Sequence, residues 1–313
     1  MKNVIVAGGA GFLGSTLVDK LVDDSVTKLL VIDDLRLGKT NNIEHHDIAF
    51  WKKSVQIAFG VHAKAIDDFA PDTIFNLAVD PLPKSFDQPR TVWDNNVYST
   101  WAIANYCIDK SIRMIQYSSS EVYGTALKGL IDESHELYPT TPYAASKAAC
   151  DHLINSMVYT YDLDAVTIRP FNCIGPRQND ASYAGVIPLT IRKLQRGEAP
   201  EIHGTGQQSR DYAYSTDIAE AATAIAAHGV RGRCYNACSG RETTIEWLIH
   251  EICKHMGYNG RPVRKPARTA DVQRHIGDNR RLKDQTGWTP KVSIHEAVKR
   301  TVEWYQNDMV REK

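Results

Sequence analysis

No excess of either charge marks this 313-residue sequence: 37 Lys and Arg stand against 37 Asp and Glu. A zero balance removes the electrostatic basis for tracking nucleic acid or settling on an anionic membrane. Cysteine is scarce and scattered, at 107, 150, 173, 234, 238 and 253, with no C-x-x-C pair. Cys234 and Cys238 are four apart, yet no second ligand pair with zinc-like spacing accompanies them, so no metal site is expected. Unpaired thiols fit a reducing, cytoplasmic compartment. No run reaches the ~18 apolar residues of a membrane span. The opening "MKNVIVAGGAGFLG" holds an apolar run too short, and too broken by glycine, for a signal peptide. Internal repeats and low-complexity linkers are missing too. What remains is a soluble globular chain, long enough for one large α/β domain or two medium ones.

What is present is alternation. "NVIVAG", "KLLVIDD", "DTIFNLAV", "RMIQYSS" and "AVTIRPFN" read as short buried strands. Helical patterns separate them, among them "FLGSTLVDKLVDD", "TVWDNNVYSTWAIANYCIDK" and "YAASKAACDHLINSMVYTYD". Such order predicts a parallel, doubly wound Rossmann-type sheet over residues 1–172. Past residue 173 the regularity loosens. The remainder to 313 reads as a smaller α/β domain, interleaved with the sheet through returning segments near 205–238. "TDIAEAATAIAAH" is a helix capped by Thr216 or Asp217, and "GRCYNACS" another strand. The basic, proline-punctuated "RPVRKPAR" reads as a loop. Residues 49–60, "AFWKKSVQIAFG", fit no pattern cleanly.

"GGAGFLG" joins the first strand to the first helix. It reads as G-x-G-x-x-G from Gly9, or as G-x-x-G-x-x-G from Gly8, Gly11 and Gly14. Either way, glycines let the backbone approach a pyrophosphate seated at a helix N-terminus. Asp33 closes the second strand about 20 residues later, where a carboxylate bonds a ribose 2′-hydroxyl and repels a 2′-phosphate. The pair predicts NAD rather than NADP, with Arg36 nearby pulling the other way. Asp47 in "HHDI" either caps an adenine pocket or sits in an exposed turn. His45 and His46 beside it look metal-like. On an extended strand, however, neighbours face opposite ways, so they are not expected to share an ion.

"TPYAASKAAC" places Tyr143 and Lys147 four apart, on one helix face. A free phenol, with a pKa near ~10, is a poor base at neutral pH. A nearby ammonium and a positive nicotinamide ring both stabilise phenolate. Lowering the pKa by ~3 units needs about 4 kcal/mol of differential interaction. The phenolate can then take a hydroxyl proton while hydride leaves the same carbon.

With "VIDDL", "FNLAV", "YSSSEVYG", "RPFNCIGPRQ", "GTGQQSRDYAYSTDIAEA" and "TGWTP" in order along nearly the whole chain, the sequence resembles the extended short-chain dehydrogenase/reductases. More narrowly, it resembles their NAD-dependent nucleotide-sugar epimerases and dehydratases. The resemblance implies Tyr143 as base, Lys147 as its partner and ribose anchor, and Ser119 as the group that binds the sugar 4-hydroxyl. It implies NAD contacts from Gly8, Gly11, Phe12, Leu13, Gly14, Asp33, Asp47, Ile48, Leu77, Ala78 and Asn96. Ser85 and Asn172 would approach the sugar and diphosphate, and Arg210, Arg268 and Asp271 would hold the nucleotide. A guanidinium fork matches phosphate oxygens, which suits the basic stretch 261–268 better than a nucleic-acid patch does. The resemblance also implies a homodimer built on the helix that bears Trp93 and Trp101, residues that fit an ordinary core equally well.

The reaction turns on "SSSEVYG". All members oxidise sugar carbon 4. An epimerase then needs only rotation of the keto-sugar, whereas a dehydratase needs a base for the carbon 5 proton and an acid for the carbon 6 hydroxyl. Dehydratases that resemble this chain carry Ser/Thr-Asp-Glu or Thr-Ser-Glu where it has Ser119-Ser120-Glu121. The leading expectation is therefore a 4,6-dehydratase with Glu121 as base. A 4-epimerase and then a uronic-acid decarboxylase are the alternatives, and a non-catalytic nucleotide sensor is the remote one.

Overall fold

The computed structural model describes residues 1–126, 129–179, 184–267 and 272–311, with side chains to residue 308. In the first half, β1 (Asn3–Ala7), β2 (Lys28–Asp33), β3 (Ala49–Lys52), β4 (Thr73–Asn76), β5 (Arg113–Tyr117) and β6 (Ala165–Pro170) are the strands. Between them run α1 (Phe12–Asp23), α2 (Val55–Phe59), α3 (Ala63–Phe69), α4 (Lys84–Asp87), α5 (Pro89–Lys110) and α6 (Pro142–Tyr161). The rest comprises β7 (Asn172–Ile174), α7 (Val186–Gln195), β8 (Glu201–His203), β9 (Ser209–Arg210), β10 (Tyr212–Tyr214), α8 (Ser215–His228) and β11 (Cys234–Ala237). Then come β12 (Thr243–Thr244), α9 (Ile245–His255), β13 (Val263–Lys265), β14 (Arg274–His275), α10 (Arg280–Thr286) and α11 (Ile294–Arg311).

Seven parallel strands form one sheet in the order β11-β6-β5-β4-β1-β2-β3. The period-two alternation of β1 explains why both faces are covered. Val4 and Val6 enter a core with Leu17 of α1 and Ala222 of α8. Ile5 and Ala7 face the other way, into a core with Ile103 of α5 and Ile154 of α6. Strand order reverses between β1 and β4, and at such a switch point the carboxyl ends of the strands open a crevice. Beyond the sheet, α7, α9 and α11 close a separate core around Ile191, Leu248, Val298 and Tyr305, and β9, β12 and β14 form a small mixed sheet. The doubly wound fold with smaller C-terminal sheets is the one that the strand-helix alternation predicts.

Four local expectations change. Residues 49–60 resolve into β3 and α2, joined where the Ser54 hydroxyl caps the Ile57 N–H at 3.3 Å. Part of the basic stretch is strand, because Val263–Lys265 pairs with β8. The α8 cap is Tyr214, without a side-chain bond. Asp217 lies inside the first turn and its carboxylate instead accepts the Val292 N–H at 3.0 Å, tying the segment after "TGWTP" to α8. Finally, His45 and His46 lie in a turn rather than on an extended strand, and both rings reach Asp19.

Candidate active site

A cavity of about 390 Å³ opens at the carboxyl ends of the central strands. Its floor is the β1–α1 turn. Gly8 has φ +79°, and a Cβ there would sit 2.7 Å from the Leu77 and Ala78 backbone. A Cβ on Gly14 would lie 2.1 Å from the Gly8 carbonyl oxygen. These two close approaches, with Gly11 at the N-cap, favour the Gly8-Gly11-Gly14 reading of the motif. No side chain caps α1, so its first N–H groups and the positive end of its dipole face the cavity.

Asp33 lines the same cavity. The Ala10 N–H donates to its Oδ2 at 3.0 Å and the Leu35 N–H to its Oδ1 at 2.8 Å. Burial raises its pKa and these two bonds oppose the rise. Arg36 is held by Asp34, with Nε 2.7 Å from Oδ2, and lies 3.6 Å from buried Asp80. Phe12, Leu13, Leu77, Ala78 and Asn96 also line the cavity. Asn96 is committed elsewhere: its Oδ1 accepts the Asp80 N–H at 2.8 Å and its Nδ2 donates to Ser146 Oγ at 3.0 Å. It acts as a joint between α5, α6 and the loop after β4.

Asp47 and Ile48 stand apart from this group. They precede β3, Asp47 is exposed and neither is among the cavity-lining residues. Lys53, Ser54 and Val55, directly after β3, line the wall in their place. The cause is the location of the strand: it begins at Ala49, so the positions at its carboxyl end are those of the segment that shows no clear pattern in sequence.

Ser119, Tyr143 and Lys147 meet at the opposite wall. Thr141 caps α6, accepting the Ala144 N–H at 3.1 Å, and this fixes where the Tyr143 turn begins. Burial pushes the Tyr143 phenol up, a hydrogen bond with Ser119 pulls it down, and the Glu121 charge pushes it up again. The protein's own groups thus favour the protonated phenol, contrary to the lowering expected from Lys147. The main cause is burial of the phenol; the Lys147 ammonium donates to the Tyr117 carbonyl, and burial pulls its own pKa down. Glu121 is half-buried and electrostatically coupled to Tyr143, though it is not among the lining residues. Ser120 is buried and off the cavity surface.

Behind this wall lies a support that the sequence conceals. His275 is fully buried, with Nε2 3.1 Å from the Ser120 carbonyl oxygen. Burial, helped by the Arg210 charge, pushes its pKa down to about 4, so the ring is neutral and Nε2–H donates. Arg169 pairs with Asp151 at 2.9 Å and donates to the Tyr123 hydroxyl at 2.7 Å, which in turn donates to Asn236 Oδ1 at 2.8 Å. Asp211 accepts from the Ser239 and Gly240 N–H groups at 2.8 Å each and from the Gly277 N–H at 3.2 Å. These partners are far apart in the chain, and no local spacing announces them.

The remaining candidates scatter. Ser85 is buried and donates to the Leu82 carbonyl at 2.7 Å, away from the cavity lining. Asn172 begins β7 beside the cavity-lining Phe171, with a buried Nδ2 that has no hydrogen-bond partner. Arg210 reaches the Val272 carbonyl at 2.5 Å. Arg268 and Asp271 lie outside the described residues. Arg177, Gln178 and Asn179 line the cavity and were not foreseen, although they sit within "GPRQ" and just after it.

A family model described as GDP-mannose 4,6 dehydratase matches residues 5–301. UDP-glucose 4-epimerase of Mycolicibacterium smegmatis is 32% identical over 309 residues, covering 97% of this chain and 98% of that protein. Among solved structures, UDP-glucose 4-epimerase of Thermotoga maritima, with UDP-glucose, superposes with a TM-score of 0.93 at 29% identity, covering 98% of this chain and 99% of that one. The dTDP-glucose 4,6-dehydratase of Streptomyces venezuelae, solved with NAD, gives 0.92 at 27% identity, covering 99% of this chain and 98% of that one. Epimerases and dehydratases both match over nearly the whole chain, so the likeness reaches their shared chemistry and stops there. The chain belongs to the NAD-dependent nucleotide-sugar epimerase/dehydratase family, an extended branch of the short-chain dehydrogenase/reductases.

Proposed function

We propose that this enzyme is a nucleotide-sugar 4,6-dehydratase that uses NAD. The observation that carries this reading is Glu121, a carboxylate close enough to Tyr143 to perturb its titration. NAD suits the residues present: two glycine positions exclude any Cβ, the α1 N-terminus is open and Asp33 lines the cavity. The turn and helix end would hold the pyrophosphate, Asp33 the adenosine ribose and Lys147 the nicotinamide ribose. Bound NAD supplies positive charge beside Tyr143 and accepts, then returns, a hydride.

In this reading Ser119 orients the sugar 4-hydroxyl and Tyr143 takes its proton as the carbon 4 hydrogen departs. The ketone acidifies carbon 5. Glu121 removes that proton and delivers it to the carbon 6 hydroxyl, which leaves as water, forming the C5=C6 double bond. The hydride that NAD would return adds to carbon 6, a solvent proton relayed through Glu121 restores carbon 5, and Tyr143 gives its own proton back to solvent. One carboxylate serves as base and acid, because Ser120 supplies neither. Asn172, with its unpartnered amide nitrogen, and Arg210, with Arg268 and Asp271, are assigned to the diphosphate and nucleotide.

A 4-epimerase is the second reading, favoured by the absence of an acid at Ser120. A panel of UDP-, dTDP- and GDP-sugars analysed by mass spectrometry separates the two. Loss of water supports dehydration, whereas an isomer of unchanged mass replaces it with epimerisation and loss of carbon dioxide replaces it with decarboxylation. Glu121→Gln should stop exchange of the carbon 5 proton, and retained exchange removes the role given to Glu121.

A homodimer forms part of the same proposal. Trp93 and Trp101, 43% and 42% exposed, lie eight apart on α5 and share an apolar groove with Val97 and with Leu153 of α6. Tyr98 stacks on Trp101 at 5.5 Å. Trp101→Glu should convert the dimer to monomer in sedimentation velocity, and a wild-type monomer rejects the assignment.

A further inference from the structure

Beside α1, three side chains converge for which the proposed reaction has no use. Asp19 Oδ1 lies 3.2 Å from His45 Nε2 and 2.7 Å from His46 Nε2. The two imidazoles lean together, with centroids 4.0 Å apart. All three ligand atoms fall within 4.8 Å of one another, the one such grouping of three among the described residues. We propose that Asp19, His45 and His46 form a binding site for a divalent transition-metal ion.

The chemistry of the donors selects the ion. Two imidazoles and one carboxylate suit Zn(II), Co(II), Ni(II) or Cu(II), whereas Mg(II) and Ca(II) require a shell of oxygens. Bonds of ~2.0–2.1 Å in a tetrahedral site separate ligand atoms by roughly 3.3 Å. The Asp19–His45 separation already matches, and the Asp19–His46 pair needs only to open from hydrogen-bonding distance. Side-chain exposure of 31% for Asp19, 46% for His45 and 15% for His46 leaves access for the ion and room for water as further ligands. The other carboxylate oxygen, Oδ2, lies 2.8 Å from Arg177 Nη1, an ion pair without hydrogen-bond geometry.

The site is also placed to matter. Asp19 rides on α1, whose N-terminus faces the cofactor cavity. The histidines sit in the segment between β2 and β3 that also carries the cavity-lining Arg36, Leu37 and Gly38, and Arg177 lines the cavity too. A bound ion would cross-link that segment to α1. Anything that binds the native fold alone raises its stability, so the ion should raise the melting temperature.

The test uses the enzyme as purified, cleared of metal with a chelator and titrated with Co(II) and then Zn(II). Expected are one equivalent of Co(II), a visible d–d spectrum without a thiolate charge-transfer band, and displacement by Zn(II) with a rise in melting temperature. His46→Ala and Asp19→Asn should each lose that equivalent while keeping their far-ultraviolet circular dichroism. His45→Gln, at the most exposed of the three positions, should lose it without any threat to folding. Cys234→Ser should retain it. A wild-type protein that binds no Co(II), or His45→Gln and His46→Ala variants that bind it as the wild type does, overturns the proposal.

Discussion

The two ends of the cavity are built by different rules. At the cofactor end the residues that carry the motif lie close together, Gly8, Gly11 and Gly14 in one turn and Asp33 on the next strand, although the Leu77–Ala78 backbone presses on Gly8 and Ser54 and Val55 complete the wall. The constraint is steric, and a methyl group decides it. At the chemistry end, Ser119, Glu121 and Tyr143 rest on partners from remote parts of the chain. His275 holds the Ser120 carbonyl from 155 residues away, and Asn236 holds Tyr123 from 113. The lesson is that a binding turn can be specified by a motif, whereas a catalytic wall needs a completed fold behind it.

The largest effect that tests this contrast is Tyr143→Phe. Loss of the proposed base should lower turnover by roughly 10²–10⁴-fold while NAD stays bound, read as product formation against cofactor content. Loss of NAD in this variant would join the two ends into one unit. Gly14→Ala should do the reverse, giving a folded protein that purifies without NAD, because its Cβ meets the Gly8 carbonyl at 2.1 Å. Asp33→Ala should weaken NAD binding roughly 10–100-fold by calorimetry, the range for hydrogen bonds to a charged group. It leaves the Ala10 and Leu35 N–H groups unpaired as well, so some loss of stability is expected.

His275→Gln is the subtlest probe and addresses the remote support. The native ring has its pKa depressed to about 4 from 6.5. The unfolded chain therefore binds the proton first as pH falls. The contribution of the neutral ring is full above about 6.5 and is lost on acidification toward 4, by roughly 3 kcal/mol if the whole shift is realised. Urea unfolding at a series of pH values should show this slope in the wild type and a shallower one in the variant. Parallel slopes would mean that the buried ring does not titrate with unfolding.

Legibility in the sequence follows the same divide. The sheet, the glycine turn, Asp33 and the Tyr143–Lys147 pair are marked by period and spacing, and those signals are local. β3 was hidden because "AFWK" mixes aromatic and charged residues on a half-exposed edge, and with it went the cavity wall at Ser54 and Val55. Asp47 and Ile48, implied by the resemblance, precede β3, whereas the cavity wall follows its carboxyl end, a boundary that no local pattern marks. On an extended strand His45 and His46 would face opposite ways, whereas in the turn they occupy both rings reach Asp19. Asp211 and His275 bear no motif of their own, since what makes them matter is burial between segments that meet only in three dimensions.

β11 carries a consequence of another kind. It completes the main sheet beside β6, and α8, which precedes it, packs over the same face as α1. A ribosome releases β1 to β6 long before Ala237 emerges. Until then β6 offers a bare parallel edge, and the apolar side chains of Val166 and Ile168 lack their cover. Translation therefore passes through an interval in which the nascent sheet is sticky. A stop codon or a protease nick between Asn172 and Cys234 would prolong that interval indefinitely, and the fragment should gather into aggregates rather than survive as a free-standing cofactor-binding half.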